Sequence, residues 1–390
     1  MRSPHGSAGC DGRTVRVAIV TESFLPQVNG VTNSVLRVVE HLQLRGHDAL
    51  VVAPGPGPER YRHAAVRRVR AVDLPVLSSL PIGVPSSKVH AALSEFEPDV
   101  VHLASPFVLG ASGLRAARRL GVPTVAVYQT DVAGFAAAYG LKHGARAAWR
   151  WIRKLHAGAD RTLAPSHASV RALTDHGVPR VHRWARGVDT ELFSPDRADL
   201  RLKTLLAPNN ELLVGYVGRL APEKHVHRLA TLSGLPGVRV VVVGEGPEEE
   251  NLRRLLPDAA FLGFRTGTEL ATAYASLDVF VHPGPYETFC QAAQEALASG
   301  LPVLAPEAGG PRDLVTHDRT GYLLEPYDDN RFAGELWSYV ELLRERGLRR
   351  RLGSTARESV LARTWPAVCD ELLGHYEQVS ASVLAAERVS

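Results

Sequence analysis

The 390-residue sequence predicts an α/β fold made of two doubly wound halves, and three observations carry that prediction. The chain is longer than one ordinary core fills. From Val15 onward, short β-branched runs alternate with helix-patterned stretches, which is the rhythm of a parallel sheet covered on both faces. The same rhythm restarts near Leu212, after a stretch rich in Pro and Asn.

Residues 15–20 read as the first strand and residues 26–30 as a turn-rich loop. Val31, Val35, Val38, Val39 and Leu42 then recur at helical spacing until Gly46 stops them, and residues 48–53 give the next strand. Residues 99–103 and 123–128 look like buried parallel strands, with a helix pattern over 111–120 between them. In the second cycle the strand candidates are 213–217, 238–243, 260–262, 279–282 and 302–305. The stretch 189–210, with Pro195, Pro208, Asn209 and Asn210, is the natural hinge. This divides the chain into a tail (1–14), an N-terminal Rossmann-like domain (15–194), a C-terminal Rossmann-like domain (211–364) and a last helix (365–380) that is a candidate to cross back to the first domain. Two Rossmann-like domains in tandem predict ligands held at the C-terminal edges of their strands, in one central cleft.

Composition narrows the class. Hydrophobic residues make up 45% and charged residues 22%, which is ordinary for a globular protein, and no apolar run reaches the ~18 residues of a membrane span. The first 14 residues lack the apolar core of a secretory signal. Three widely spaced cysteines, Cys10, Cys290 and Cys369, form no C-x-x-C pair, so a reducing cytoplasmic setting is expected and a disulfide framework is not. A net charge of +4 is too mild to indicate nucleic acid. No G-K-[ST], D-x-D, G-x-S-x-G or H-E-x-x-H occurs, and Glu249 spoils the third glycine position of the stretch beginning at Gly244.

Three constellations remain. Glu287 and Glu295 stand in an E-x7-E spacing that leads into a helix. Were Thr288 the start of that helix, ~1.5 Å per residue would separate the carboxylates by roughly 12 Å, beyond a glycosidase pair but suited to two ends of an extended ligand. The amides of Thr288, Phe289 and Cys290 would then favour a diphosphate. Arg219 and Lys224 follow the strand 213–217 directly, and a guanidinium fork with an ammonium can neutralise a departing nucleotide diphosphate. Gly30 permits close backbone approach to a phosphate or sugar. With no D-x-D, Arg219 and Lys224 are expected to do the work of a Lewis-acid metal, so no cofactor is expected.

In their order and context, Gly30, Arg219, Lys224, Glu287 and Glu295 resemble the family-4 retaining glycosyltransferases of GT-B fold. The resemblance runs over nearly the whole chain after residue 14. It is strongest toward bacterial GDP-mannose-dependent α-mannosyltransferases that build membrane glycolipids, through Glu22-Ser23-Phe24-Leu25-Pro26-Gln27-Val28-Asn29-Gly30, Val127-Tyr128-Gln129-Thr130-Asp131, Trp184-Ala185-Arg186-Gly187-Val188-Asp189 and Glu287-Thr288-Phe289-Cys290-Gln291. The resemblance implies that Arg219 and Lys224 hold the diphosphate and that Glu295 binds ribose. It implies also that Glu287 contacts the transferred sugar and that Gly30 lies against the diphosphate. The acceptor hydroxyl would attack from the leaving-group face and pass its proton to a diphosphate oxygen. Gln129 stands where many relatives carry His, Cys290 where Gly is common and Arg186 where Asn is common; Gln129 and Asp131 join the candidate catalytic residues.

The acceptor implied is lipid-linked. Residues 145–156 suit a peripheral place on an anionic membrane: Ala145, Ala148, Trp149, Ile152 and Leu155 share one helix face, while Arg146, Arg150, Arg153 and Lys154 crowd the other. The alternative for that helix is packing on the first domain's core. Two further functional readings stand beside mannosyl transfer: a UDP-sugar-dependent diacylglycerol glucosyl- or sulfoquinovosyltransferase and, more distantly, a nucleotide-sugar epimerase or a non-catalytic nucleotide-binding protein.

Overall fold

The computed structural model describes residues 14–72, 82–83, 87–104, 106–130 and 142–387, so the expected tail falls outside the described residues up to residue 13. The chain forms two compact units. The first contains Met1–Val127, Gly158–Arg161 and Gly374–Ser390; the second contains Tyr128–Ala157 and Thr162–Leu373.

In chain order the first strands are β1 (Arg16–Thr21), β2 (Asp48–Pro54), β3 (Arg60–Tyr61), β4 (Ala64–Val69), β5 (Ala71–Val72), β6 (Ile82–Gly83), β7 (Val100–Ala104), β8 (Thr124–Val127), β9 (Arg161–Ala164) and β10 (Val181–Arg183). Helices α1 (Gly30–Leu44), α2 (Ser87–Phe96), α3 (Val108–Leu120), α4 (Lys142–Gly158) and α5 (His167–Asp175) lie between them. Eight strands form one sheet in the order β10-β9-β8-β7-β1-β2-β4-β3, and β5 pairs with β6 separately. β1 pairs in parallel with both β2 and β7, so strand order reverses there. Every residue of β7 is buried, as a strand covered on both faces requires.

At the reversal, the loop after β1 is built from its own polar side chains. The Asn29 side chain accepts from the Val31 and Thr32 amides at 3.0 Å each, capping α1, and its own amide donates to Ser23 Oγ at 2.7 Å. Gly30 is therefore the first residue of a capped helix. The Glu22 carboxylate accepts from the amides of Phe107 (2.7 Å) and Gly110 (2.8 Å), serving the start of α3 in the same way.

The second sheet is built from β11 (Leu212–Val217), β12 (Val238–Val243), β13 (Ala260–Gly263), β14 (Val279–Val281), β15 (Val303–Pro306) and β16 (Gly321–Leu324). Its helices are α6 (Leu200–Leu206), α7 (Glu249–Leu255), α8 (Gly267–Ser276), α9 (Gln291–Ala298), α10 (Pro311–Leu314), α11 (Asp329–Leu342), α12 (Arg346–Val360) and α13 (Trp365–Glu387). All strand pairs are parallel, in the order β13-β12-β11-β14-β15-β16. Side chains of β11 alternate between two cores: Leu213 and Val217 join one, and Leu212, Val214 and Tyr216 the other. The chain runs outward from β11 to β13 and returns on the other side at β14, so the loops after β11 and β14 flank the switch point where such sheets bind ligands.

Two expectations change. The hinge stretch 189–210 is not a bare linker: it carries α6, and Phe193, Leu206 and Ala207 are buried in the same core as Leu213. The apolar face of α4 is likewise spent inside the protein. Ile152 is buried with Tyr128, Ala164, Leu173 and Val178, and Trp149 packs against them, leaving Arg146, Arg150, Arg153 and Lys154 exposed. The side chain of Ala145 lies outside the described residues. Those apolar groups are unavailable to a membrane, because the domain core already removes them from water. No described helix is long and apolar enough to cross one.

Candidate active site

Four segments of the second unit meet at the switch point: the loop after β11, the loop after β14, and the stretches around Gln129 and Arg186. After β11 the chain turns through Gly218 and Arg219 into a short 3-10 turn, Pro222–Lys224. Gly244 and Gly246 make this possible, since a Cβ at Gly244 would come within 2.0 Å of the Gly218 oxygen and one at Gly246 within 2.2 Å of the Leu220 oxygen. These glycines, which fail as a dinucleotide fingerprint, hold the cationic loop by close backbone packing.

Lys224 and Glu287 form an ion pair, Nζ to Oε1 at 2.5 Å, with each side chain about one-fifth exposed. His282 Nε2 lies 3.4 Å from the same oxygen. Burial pulls the His282 pKa down to about 4, so the ring is neutral at pH 7 despite the Glu287 carboxylate. Burial alone would raise the Glu287 pKa, yet Lys224, His282 and Arg186 together hold it below the ordinary value. Lys224 shows the reverse: burial works against its ammonium, and Glu287 more than offsets this, raising its pKa. Arg219 is half-exposed and leans on Glu223 at 3.8 Å.

The start of α9 differs from expectation. The helix begins at Gln291, not Thr288, because Cys290 takes a left-handed conformation (φ 77°) that breaks helical hydrogen bonding before it. Glu287 thus projects from a loop, and the separation of the two carboxylates is not set by helical rise. The side chains of Phe289 and Cys290 are buried. Thr288 donates through Oγ1 to the Gln129 carbonyl at 3.0 Å, which ties the loop to the stretch after β8. Glycines do the rest. Gly309 has φ +57°, and a Cβ there would stand 2.4 Å from the Glu287 carbonyl, while one on Gly310 would meet Phe289 at 2.3 Å. Neither glycine was singled out from the sequence, although a Gly-Gly pair just past a strand is the signal that could have found them.

Glu295 lies on α9, where Tyr274 donates to its Oε2 at 3.3 Å. Burial raises its pKa to about 7. Gln129 and Arg186, both buried, are bonded to each other at 2.9 Å from guanidinium nitrogen to amide oxygen. Burial lowers the Arg186 pKa to about 10, with Glu287 pulling the other way, so the guanidinium stays charged. The structure therefore brings Gln129, Lys224 and Glu287 together, adds Arg186 and His282, and sets Arg219 on the loop beside them. Gly30 belongs to the first unit, and Asp131 lies outside the described residues. Counting Lys224, Arg186 and Glu287 as charged and His282 as neutral, the pocket holds one positive charge in excess, which suits an anionic ligand.

Comparison with known proteins identifies the family. Residues 28–192 match Glycosyltransferase Family 4, and residues 199–359 match Glycosyl transferases group 1. A GDP-mannose-dependent alpha-mannosyltransferase of Mycobacterium tuberculosis is 58% identical, over 94% of this chain and 97% of its own. A sulfoquinovosyl transferase of Arabidopsis thaliana is 33% identical, over 94% of this chain and 74% of its own. The crystal structure of Anabaena HepE in complex with UDP superposes with a TM-score of 0.75 at 20% identity, covering 93% of this chain and 100% of that one, a likeness of fold. With both halves matched and a relative this similar aligned along nearly its full length, the chain is a glycosyltransferase of GT-B fold and belongs to family 4, in the group of the GDP-mannose-dependent α-mannosyltransferases.

Proposed function

We propose that the protein transfers an α-mannosyl group from GDP-mannose to a lipid-linked acceptor, with retention of configuration and without a metal ion. The observation that carries the reading is the Lys224–Glu287 pair at the switch point of the second sheet, with Arg219 on the same loop. In this reading Lys224 and Arg219 neutralise the diphosphate as the glycosidic bond breaks. Glu287, kept ionised by Lys224, accepts hydrogen bonds from sugar hydroxyls, and Glu295 accepts from ribose. Gly30 approaches the diphosphate, and Asp131 stays a candidate at the sugar. The acceptor hydroxyl attacks on the face that the leaving group occupies, and a diphosphate oxygen takes its proton.

The donor is supported by the 58% identical mannosyltransferase, and the 33% identical sulfoquinovosyl transferase supports the alternative reading less strongly. A lipid acceptor is supported by a more distant relative, the GDP-mannose-dependent alpha-(1-6)-phosphatidylinositol dimannoside mannosyltransferase of Mycobacterium tuberculosis at 28% identity, and by the exposed basic face of α4, which would attract anionic headgroups without inserting into them. The test is to follow radiolabel from GDP-mannose into a lipid extract with purified protein. Label in the lipid fraction supports the reading; equal labelling from UDP-glucose contradicts the donor assignment.

A further inference from the structure

We propose that Arg186 is a positioning residue of this active site: it locks the carboxamide of Gln129 so that its N–H groups face the transferred sugar, and supplies a buried positive charge beside Glu287. The inference rests on the reading that Glu287 contacts the sugar. Arginine has donors and no acceptor, so the atom of Gln129 that lies 2.9 Å from its guanidinium must be the carbonyl oxygen Oε1. That assignment fixes the amide. Its nitrogen, which carries two donors, is turned to the other side.

The backbone on both sides is pinned as well. Thr288 Oγ1 holds the Gln129 carbonyl at 3.0 Å, Gln294 Nε2 donates to the Arg186 carbonyl at 3.0 Å, and Gln291 Nε2 donates to the Gly187 carbonyl at 3.1 Å. The pair is thus mounted on the same loop and helix that present Glu287. Arg186 is 8% exposed and forms no ion pair among the described residues, and its Nε has no hydrogen-bond partner among them. A guanidinium removed from water without a carboxylate of its own is costly to keep, and its electrostatic partner here is Glu287, already held by Lys224. Such a charge is useful where electron density builds up on a leaving group nearby, and a donor-only amide is useful against sugar hydroxyl oxygens.

The pair predicts a separation of effects that a merely structural role would not produce. Gln129→Glu gives Arg186 a carboxylate, a stronger partner, but removes the N–H donors. It should leave the melting temperature unchanged or higher and GDP affinity within about twofold, while kcat/KM for the wild-type donor falls at least thirtyfold. Arg186→Ala should lose a similar factor and recover part of it with added guanidinium at low millimolar concentration; Arg186→Lys should fall between. Gln129→Glu at more than one-third of wild-type activity, or Arg186→Ala lowering only thermal stability, would overturn the inference. Wild-type protein that uses UDP-glucose in place of GDP-mannose overturns the donor reading alone, since the variants are then compared on that donor; wild-type protein inert to every nucleotide sugar overturns both.

Discussion

Lys224 and His282 converge on one oxygen of Glu287, the ammonium at 2.5 Å and the neutral imidazole at 3.4 Å. Only the ammonium carries a charge at pH 7, and among the groups that keep Glu287 ionised Lys224 has the largest effect. In the proposed reading the donor diphosphate would meet an ammonium whose position is already fixed, and fixed charge costs no reorganisation during reaction.

Lys224→Ala is expected to reduce kcat/KM for GDP-mannose by about 10²–10³-fold, the range found when one preorganised electrostatic donor is removed. It also strands a mostly buried carboxylate, so the melting temperature should drop, and Lys224→Arg should restore stability more fully than rate, because a guanidinium does not reproduce a point charge. Initial rates of label transfer beside a thermal melt check both statements.

The pH dependence of nucleotide binding should report Glu295. Its folded pKa is raised to about 7 by burial, so the folded protein binds more protons than the unfolded chain between roughly pH 4.5 and 7, and this group's contribution to stability falls as pH rises through that window. Ribose hydroxyls prefer the ionised carboxylate as acceptor. GDP should therefore bind more tightly as pH rises from 6 to 8, releasing a proton. Isothermal titration calorimetry in buffers of different ionisation enthalpy measures that proton, and Glu295→Gln should abolish its release.

Gly309→Ala should damage the site from behind. The new methyl group would stand 2.4 Å from the Glu287 carbonyl at a backbone with φ +57°, so the 287–290 loop must shift. A displacement near 1 Å costs about 10²-fold in rate. Circular dichroism should remain native while kcat/KM falls, and an unchanged rate would show that this loop does not set the position of Glu287.

Helix α4 separates packing from adsorption. Ile152→Ala removes a side chain that is 3% exposed and should cost about 2–4 kcal/mol of stability, seen in a denaturant melt. Arg150→Glu with Arg153→Glu should leave the melt nearly unchanged and weaken sedimentation with anionic liposomes at low salt. Loss of liposome binding in Ile152→Ala without loss of stability would mean that this face touches lipid.

Much of this architecture is legible in the sequence, and the gaps have physical causes. β11, β12 and β14 are short runs rich in Val and Leu, as strands covered on both faces tend to be, with Arg239 near the start of β12 as the charged exception. β4 escapes the same reading since Arg67 and Arg68 interrupt it; Arg68 turns back to the carbonyls of Pro54 and Leu25 at 2.7 Å each. The start of α9 is misplaced because periodicity cannot report that Cys290 adopts a left-handed backbone. Spacing and context single out Arg219, Lys224, Glu287 and Glu295 as candidates, but the bond between Gln129 and Arg186 joins residues 57 apart and follows only from the fold.

The most direct measurement is the initial rate of mannosyl transfer from GDP-mannose by demetallated protein in excess chelator. The rate should equal that of untreated enzyme, and Lys224→Ala should stay impaired whatever divalent cation is added. A reaction that stops in chelator and resumes with magnesium or manganese would contradict the claim that cationic side chains, Arg219 and Lys224 first among them, neutralise the departing diphosphate without a divalent ion.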